Sequence, residues 1–457
     1  MIDFEHLEAY TENNRIEAKT ALGGFPESFW ETYSAFANTM GGVILLGVSE
    51  NPDKTFRPVD LPDPEALVDE LFRGLAEKKA SVNLLSKNDV AIKELNGCRI
   101  VCIFVPRADR RQRPVYINRI PFECYKRSGE GDYKMPRDEY FAMKNDSFRE
   151  TRDLSPVTDC TAADFAYEAV RGYRARLETL RPRFAKGLSE DEFLMKIGAL
   201  TETDDGPYPT AAGMLMFGKS ERIRAVFPQY SLSYTVDGET AVSSDEPHFG
   251  NLYDFFFRVL ALLRRDFPDS GSDSLFDGLS EALVNCLVNA DYRCGKPIRI
   301  SADRDSICFE NPGSFRIDPI GLPRGSVADP RNSGLAQMFN LIDASRGRGT
   351  GLARLYRIWR KNKLNAPKIK EEFSPDRVLL TLPLTAEVRR TSGNPPFEAS
   401  SLIVDYLTDR RLATADELCA YLRVRPAKLR VLLDDLDASG LITADPGDTE
   451  LLYRLRR

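Results

Sequence analysis

Twelve residues, Glu281-Ala-Leu-Val-Asn-Cys-Leu-Val-Asn-Ala-Asp-Tyr292, constrain this chain more than any other stretch. At about 100° per residue, a helix over them brings Glu281, Asn285 and Asn289 within roughly 80° of one another. Ala282, Leu283, Val284, Cys286, Leu287, Val288 and Ala290 cover the rest of the surface. A helix that is apolar all round is buried, and a polar stripe inside it is costly without a partner. The phosphates of a nucleotide with their magnesium ion would be such a partner. A helix edge that reaches solvent is the plainer alternative.

Two more parts follow in order. Asp305–Glu310 reads as a short strand running into Asn311-Pro-Gly313. Gly347-Arg-Gly349-Thr350-Gly351-Leu352 then precedes a helical stretch, Ala353–Lys361. A glycine-rich turn feeding a helix offers free backbone N–H groups and the positive end of the helix dipole to an anion. Glycine lets the backbone approach phosphate closely. The three parts in this order resemble the ATP-binding (GHKL-like) fold shared by gyrase, histidine kinases and mismatch-repair ATPases. More closely, they resemble the C-terminal ATPase-like domain of bacterial RecG-like predicted transcriptional regulators. The resemblance implies ATP and magnesium as cofactors. It makes Glu281 the general base, Asn285 the magnesium ligand, and Asn311 the residue facing adenine. Asn289 and Gly313 would join them, and Gly347, Gly349, Thr350 and Gly351 would close over the phosphates. Two departures bear on turnover more than on binding: Asn311 stands where the wider fold has Asp, and Asn289-Ala-Asp-Tyr292 stands where the closer family reads His-Arg-Asp-Tyr.

Residues 1–148 read as an α/β unit. A polar, helix-compatible start carries Glu12, Glu17 and Lys19. Pro26–Asn38 is an aromatic-rich helix and Val43–Val48 a buried strand. Ile92–Leu95 and Arg99–Val105 form a hairpin around Asn96-Gly97. Further strand is expected over Pro114–Ile117 and Ile120–Tyr125. Two carboxylates and a lysine can hold a divalent metal and a phosphate together; solvated surface charges are the alternative. With Ala35-Phe-Ala-Asn-Thr-Met-Gly-Gly-Val-Ile-Leu-Leu-Gly-Val48 close behind, the unit resembles the Schlafen/AlbA-like domain over residues 5–135. That resemblance implies nucleic-acid binding. In the nuclease branch of the family it would make Glu12, Glu17 and Glu50 ligands of manganese or magnesium, with Lys19 beside them. Arg107, Arg110, Arg111, Arg113, Tyr125, Lys126 and Arg127 suit a phosphate backbone with base stacking, or else form a solvated loop.

Residues 149–390 are taken as a connector plus the GHKL-like domain, with helices over Thr161–Leu180 and Leu252–Arg265, a helix start at Ser189 and a strand over Gln229–Val236. Thr391-Ser-Gly-Asn-Pro-Pro396 is a linker by composition. Residues 397–457 read as a winged helix-turn-helix. A helix runs to Leu407, a capping box at Thr414-Ala-Asp-Glu417 opens a second, and a third starts at Pro426 with Leu429, Leu432, Leu433 and Leu436 inward. Wing strands are expected at Leu441–Thr443 and Leu451–Leu455. Arg425, Lys428 and Arg430 are candidate DNA contacts. Asp434, Asp435 and Asp437 on the same helix would repel phosphate, which leaves protein contact and dimerisation open.

The net charge of −6 excludes a chain that is basic throughout, so nucleic acid must meet local patches. The absence of an 18-residue apolar run or an apolar leader points to the cytoplasm and away from membranes. None of the eight cysteines forms a Cys-x2-Cys pair, so zinc is not expected. The whole reads as a multidomain α/β (α+β) protein. It is expected to be a cytosolic, DNA-binding transcriptional regulator, with DNA or RNA as partner and a dimer as its state. The alternative is a Schlafen-type metal-dependent endoribonuclease, in phage defence.

Overall fold

The structure is a computed structural model. It describes residues 15–246, 250–267, 274–317, 329–344, 351–373 and 375–385, with 403, 407, 413–422, 426–438, 442–446 and 451–455. Contacts divide the chain into Phe4–Glu387 and a second unit of Met1–Asp3 with Val388–Arg457.

The amino-terminal part runs β1 (Ile16–Lys19), α1 (Phe29–Asn38), β2 (Gly42–Leu46), β3 (Val48–Glu50), β4 (Phe56–Pro58), α2 (Pro64–Ala76), β5 (Val90–Leu95) and β6 (Cys98–Val105). The sheet order is β1-β2-β6-β5, with β1 parallel to β2 and the other pairs antiparallel. The aromatics of α1 are its anchor: Phe29, Tyr33 and Phe36 are fully buried. Asp63 caps α2 by accepting from the Ala66 N–H at 2.9 Å, with Pro64 in the first turn. Asn96 and Gly97 both have positive φ, as a two-residue hairpin turn requires. A small hairpin, β7 (Tyr125–Ser128) and β8 (Gly131–Lys134), and α3 (Arg137–Asp146) complete this part.

Two expectations change here. Residues 16–19, read as helix-compatible, are a strand, because Ile16 and Ala18 pair in register with Val43 and buried Leu45 of a core strand. The strands expected over 114–117 and 120–125 reduce to isolated bridges, Ala80 with Ile117 and Tyr116 with Cys124. Their backbone groups go elsewhere: the Val115 N–H donates to Asn38 Oδ1 at 2.7 Å, and Asn118 and Arg119 turn the chain with positive φ.

The central part begins with α4 (Tyr167–Leu180) and α5 (Glu190–Lys196), the latter opened by a capping box between Ser189 and Glu192. The hairpin β9 (Leu200–Thr203) and β10 (Gly206–Pro209) leads to α6 (Ala211–Phe217) and α7 (Ser220–Val226). Then come β11 (Leu232–Val236), β12 (Glu239–Ser243), α8 (Leu252–Asp266), α9 (Leu275–Asn289), β13 (Ile298–Ala302), β14 (Ser306–Pro312), α10 (Ser333–Leu341), α11 (Gly351–Lys361), β15 (Lys368–Glu372) and β16 (Arg377–Pro383). The six-stranded sheet has the order β12-β11-β13-β14-β16-β15; β11 and β13 are parallel and are joined by a crossover carrying α8 and α9. Helices α4 to α11 share one apolar core with this sheet. Helix α9 stops at Asn289, short of the expected Tyr292. There the Asp291 N–H donates to Pro312 O at 2.9 Å, and the Tyr292 hydroxyl donates back to Leu287 O at 2.8 Å.

In the carboxy-terminal unit, helices Ala415–Leu422 and Pro426–Ala438 pack with strands Ala413–Thr414, Ile442–Pro446 and Leu451–Leu455, the last lying between the other two. The expected capping box forms: the Glu417 N–H donates to Thr414 Oγ1 at 3.2 Å, and the Thr414 N–H to Glu417 Oε2 at 3.0 Å. Leu429, Leu432, Leu433 and Leu436 are buried as expected. The helix expected to reach Leu407 falls mostly outside the described residues. Among the described residues, no helix is long and apolar enough to cross a membrane.

Candidate functional site

Helix α9 is buried on nearly every side, so its polar stripe is inside the protein. Glu281 is 5% exposed. The N-terminus of α11 meets it there: a Cβ on Gly351 would collide with the Glu281 carboxylate. Arg354, one turn into α11, pairs with Asp277 at 2.6 Å, one turn before Glu281, so the two helices run antiparallel. Their close approach is set by Gly278, where a Cβ would come within 2.8 Å of the Trp359 ring. Trp359 is fully buried and its indole N–H donates to Pro383 O at 2.7 Å.

This arrangement has an electrostatic consequence. The positive end of the α11 dipole faces the Glu281 carboxylate. Asn285 and Asn289 lie about 6 Å and 12 Å further along α9, past the start of α11, at ~1.5 Å rise per residue. Asn285 is half-buried, and among the described residues its side-chain nitrogen, Nδ2, has no acceptor. The Asn289 amide donates to Asn285 O at 2.9 Å. Asn311, 7% exposed, sits in β14 opposite Val378, one strand end before Gly313, whose φ is +99°. Gly347, Gly349 and Thr350 lie outside the described residues. The donor set suits a nucleotide with magnesium: a buried carboxylate, an Asn285 amide whose nitrogen can donate to phosphate and whose oxygen is the atom that could ligate a cation, and a glycine-opened helix N-terminus.

Two residues at the rim gave no signal in the sequence. Asn332 donates to Val288 O and Ala290 O, at 3.1 and 2.8 Å, and so clamps the end of α9. Arg331 donates to Asn289 O and Ser314 O, at 3.1 and 2.7 Å, and pairs with Asp146 of α3. Neither belongs to a periodic or glycine-rich pattern; only the folded chain brings them there.

The amino-terminal acidic set is partly placed. Glu17 pairs with Lys19 at 2.9 Å and with Arg127 at 2.8 Å; as i and i+2 on a strand, Glu17 and Lys19 share one face. Glu50 is exposed on β3, and Glu12 lies outside the described residues. Among the described residues, no group of three His, Cys, Asp or Glu is placed to hold a metal ion.

The basic set corrects the expectation of an accessible phosphate-binding patch. Arg107 is bidentate to Glu371 and donates to Phe315 O at 2.7 Å. Arg110 pairs with Asp329 and also donates to Asp146 O and Phe148 O, both at 2.7 Å. Lys126 pairs with Asp376 and, at 2.7 Å, with Glu139. Arg113 donates to Phe315 O, and Arg127 reaches Asp132 as well as Glu17. All five side chains are buried. The physical reason differs by residue: Arg107, Arg110 and Lys126 pair with Glu371, Asp329 and Asp376 of the central part, whereas Arg127 pairs with Glu17 and Asp132 of its own part. Tyr125 is half-buried; burial and the nearby Glu31 push its hydroxyl up to about 12. Arg111 alone of the arginines at 107–113 is exposed. Arg430 is exposed on its helix, whereas Arg425 and the Lys428 side chain lie outside what is described.

Residues 12–136 match the profile described as Schlafen, AlbA_2. Residues 295–382 match the profile described as putative ATP-dependent DNA helicase recG C-terminal. The chain carries a Schlafen AlbA_2 domain and a RecG C-terminal-like domain. Between its AlbA_2 and RecG-like domains, residues 141–233 match a domain of unknown function. The RecG-like match begins after α9, so Glu281, Asn285 and Asn289 precede it while Asn311, Gly313 and Gly351 fall inside it. A solution structure of the N-terminal domain of a putative ATP-dependent DNA helicase RecG-related protein from Nitrosomonas europaea is 32% identical, over 29% of this chain and 90% of that one, with a TM-score of 0.22. The crystal structure of the DIP2311 protein from Corynebacterium diphtheriae is 19% identical, over 96% of this chain and 92% of that one, with a TM-score of 0.43. No curated protein matches. The AlbA_2 and RecG-like domains together point to a nucleic-acid-binding protein.

Proposed function

We propose that this protein is a DNA-binding transcriptional regulator whose central domain binds a nucleotide. The observation that carries the nucleotide part is the meeting of Glu281 with Gly351, next to an Asn285 amide nitrogen that has no acceptor among the described residues. In this reading Asn285 holds magnesium, Asn311 faces the base, and Glu281 orients or deprotonates water. Bound magnesium would neutralise phosphate charge. The first turn of α11 then serves as an anion seat. The AlbA_2 match supports nucleic acid as the partner. The carboxy-terminal helix pair and hairpin support a winged helix-turn-helix with exposed Arg430 toward DNA.

The test is fluorescence anisotropy with labelled duplex DNA and RNA across salt. Affinity should fall on a log–log plot with a slope near 0.9 per phosphate contacted, steep between about 50 and 200 mM salt. No binding to any DNA or RNA at the lowest salt would contradict the proposal.

A further inference from the structure

Arg113 lies at the contact between the AlbA_2 and RecG-like domains. It is 4% exposed, and among the described residues its guanidinium makes one hydrogen bond, Nη2 to Phe315 O at 3.1 Å. The same carbonyl takes Arg107 Nη2, so the two guanidinium groups converge on one oxygen. Among the described residues, Nε and Nη1 of Arg113 and Nε of Arg107 have no acceptor. The charges bearing on Arg113 are Arg107, Arg331, Glu371 and Asp146. Both anions are engaged: Glu371 grips Arg107 with two oxygens, and Asp146 pairs with Arg331. Among the described residues, neither carboxylate is hydrogen-bonded to Arg113 itself. Burial, then repulsion from Arg107, pushes the Arg113 guanidinium down to about 9. A buried guanidinium with unpaired donors is a costly arrangement that an oxyanion relieves through charge-assisted hydrogen bonds.

We propose that Arg113 and Arg107, gathered at Phe315, form a binding site for a phosphate-class oxyanion between the two domains. The ligand is either free inorganic phosphate or the terminal phosphate of a nucleotide. The site is distinct from the Glu281–Gly351 pair. It adjoins the segment after Asn311, because Arg331 holds Ser314 O and packs against Gly313.

The experiment is calorimetric titration of the full chain with sodium phosphate, ionic strength held constant with chloride, followed by ATP. Wild-type chain should bind phosphate and should unfold at a higher temperature in its presence. Arg113→Gln should bind at least about tenfold more weakly, while Arg73→Gln, an exposed control, should bind as wild type. Arg113→Lys keeps the charge but loses the forked donors; it should fold, as circular dichroism would verify, and still bind more weakly than wild type. ATP that displaces phosphate, and loses affinity in Arg113→Gln, identifies a nucleotide phosphate as the ligand. Phosphate that ATP leaves in place identifies the free anion. Wild-type chain with no phosphate heat and no thermal shift overturns the proposal, as does undiminished binding by folded Arg113→Gln or Arg113→Lys.

Discussion

Removing Glu371 should loosen the AlbA_2 domain from the RecG-like domain without touching either core. The Glu371 and Arg107 side chains are 2% and 6% exposed. Glu371 Oε1 also accepts from the Phe315 N–H at 2.7 Å. Glu371→Ala therefore leaves a buried guanidinium and a buried amide short of acceptors. Breaking a buried pair from one side costs about 3–5 kcal/mol. Glu371→Gln keeps one acceptor oxygen for Phe315 and should cost about 1–2 kcal/mol, the range for a weakened hydrogen bond rather than a stranded charge. The two tryptophans make the assay clean. Trp30 lies in the amino-terminal core and Trp359 in the central core. Urea unfolding followed by fluorescence in Trp30→Phe and Trp359→Phe backgrounds reads one domain at a time. Glu371→Ala should separate the two curves and move at least one midpoint by about 1 M, given urea slopes of roughly 3 kcal/mol/M for larger domains. Curves that stay together and superimpose on the parent would show that the ion pair does not couple the domains.

Glu17→Ala should destabilise the AlbA_2 domain by about 3 kcal/mol, because buried Arg127 loses the Glu17 carboxylate. A metal-dependent RNA cleavage assay on that variant needs a parallel melting curve, and an unchanged melting temperature would refute the structural role of the pair. Gly351→Ala should be destabilising by about 1 kcal/mol net: overpacking against Glu281 costs about 1–3 kcal/mol, while alanine returns up to about 1 kcal/mol of helix propensity. A raised melting temperature would mean that Glu281 does not sit against α11. Burial holds the Asp153 carboxyl above the ordinary aspartate range, against hydrogen bonds from Thr151 and the Leu335 N–H. The folded state then binds this proton more tightly than the unfolded one, so stability is greater below the unfolded value and is lost as pH rises through the raised one. Asp153→Asn should flatten that part of the stability–pH curve, and an unchanged slope would contradict the assignment.

The parts of the fold that were legible in the sequence are those fixed by local physics. The aromatic spacing of α1, the Asn96-Gly97 turn, the Ser189 and Thr414 capping boxes and the leucine stripe at 429–436 each follow from a few neighbouring residues. The stripe of α9 was legible too, because apolar residues on all sides leave few places for Glu281. What escaped was long-range. Nothing local marks 16–19 as a parallel strand; its partner is 27 positions away, at 43–46. The arginines at 107–113 read as a surface patch because their partners, Phe315, Asp329 and Glu371, come from the other domain. Arg331 and Asn332 carry no pattern of their own and matter only through where α10 starts.

The central claim is that the Glu281, Asn285 and Gly351 corner accepts a nucleotide. Calorimetric titration of the full chain with ATP and magnesium tests it most directly, with Asn285→Ala alongside. The account predicts saturable, magnesium-dependent binding to wild type and its loss in folded Asn285→Ala; a wild-type chain that takes up no ATP, with or without magnesium, contradicts it.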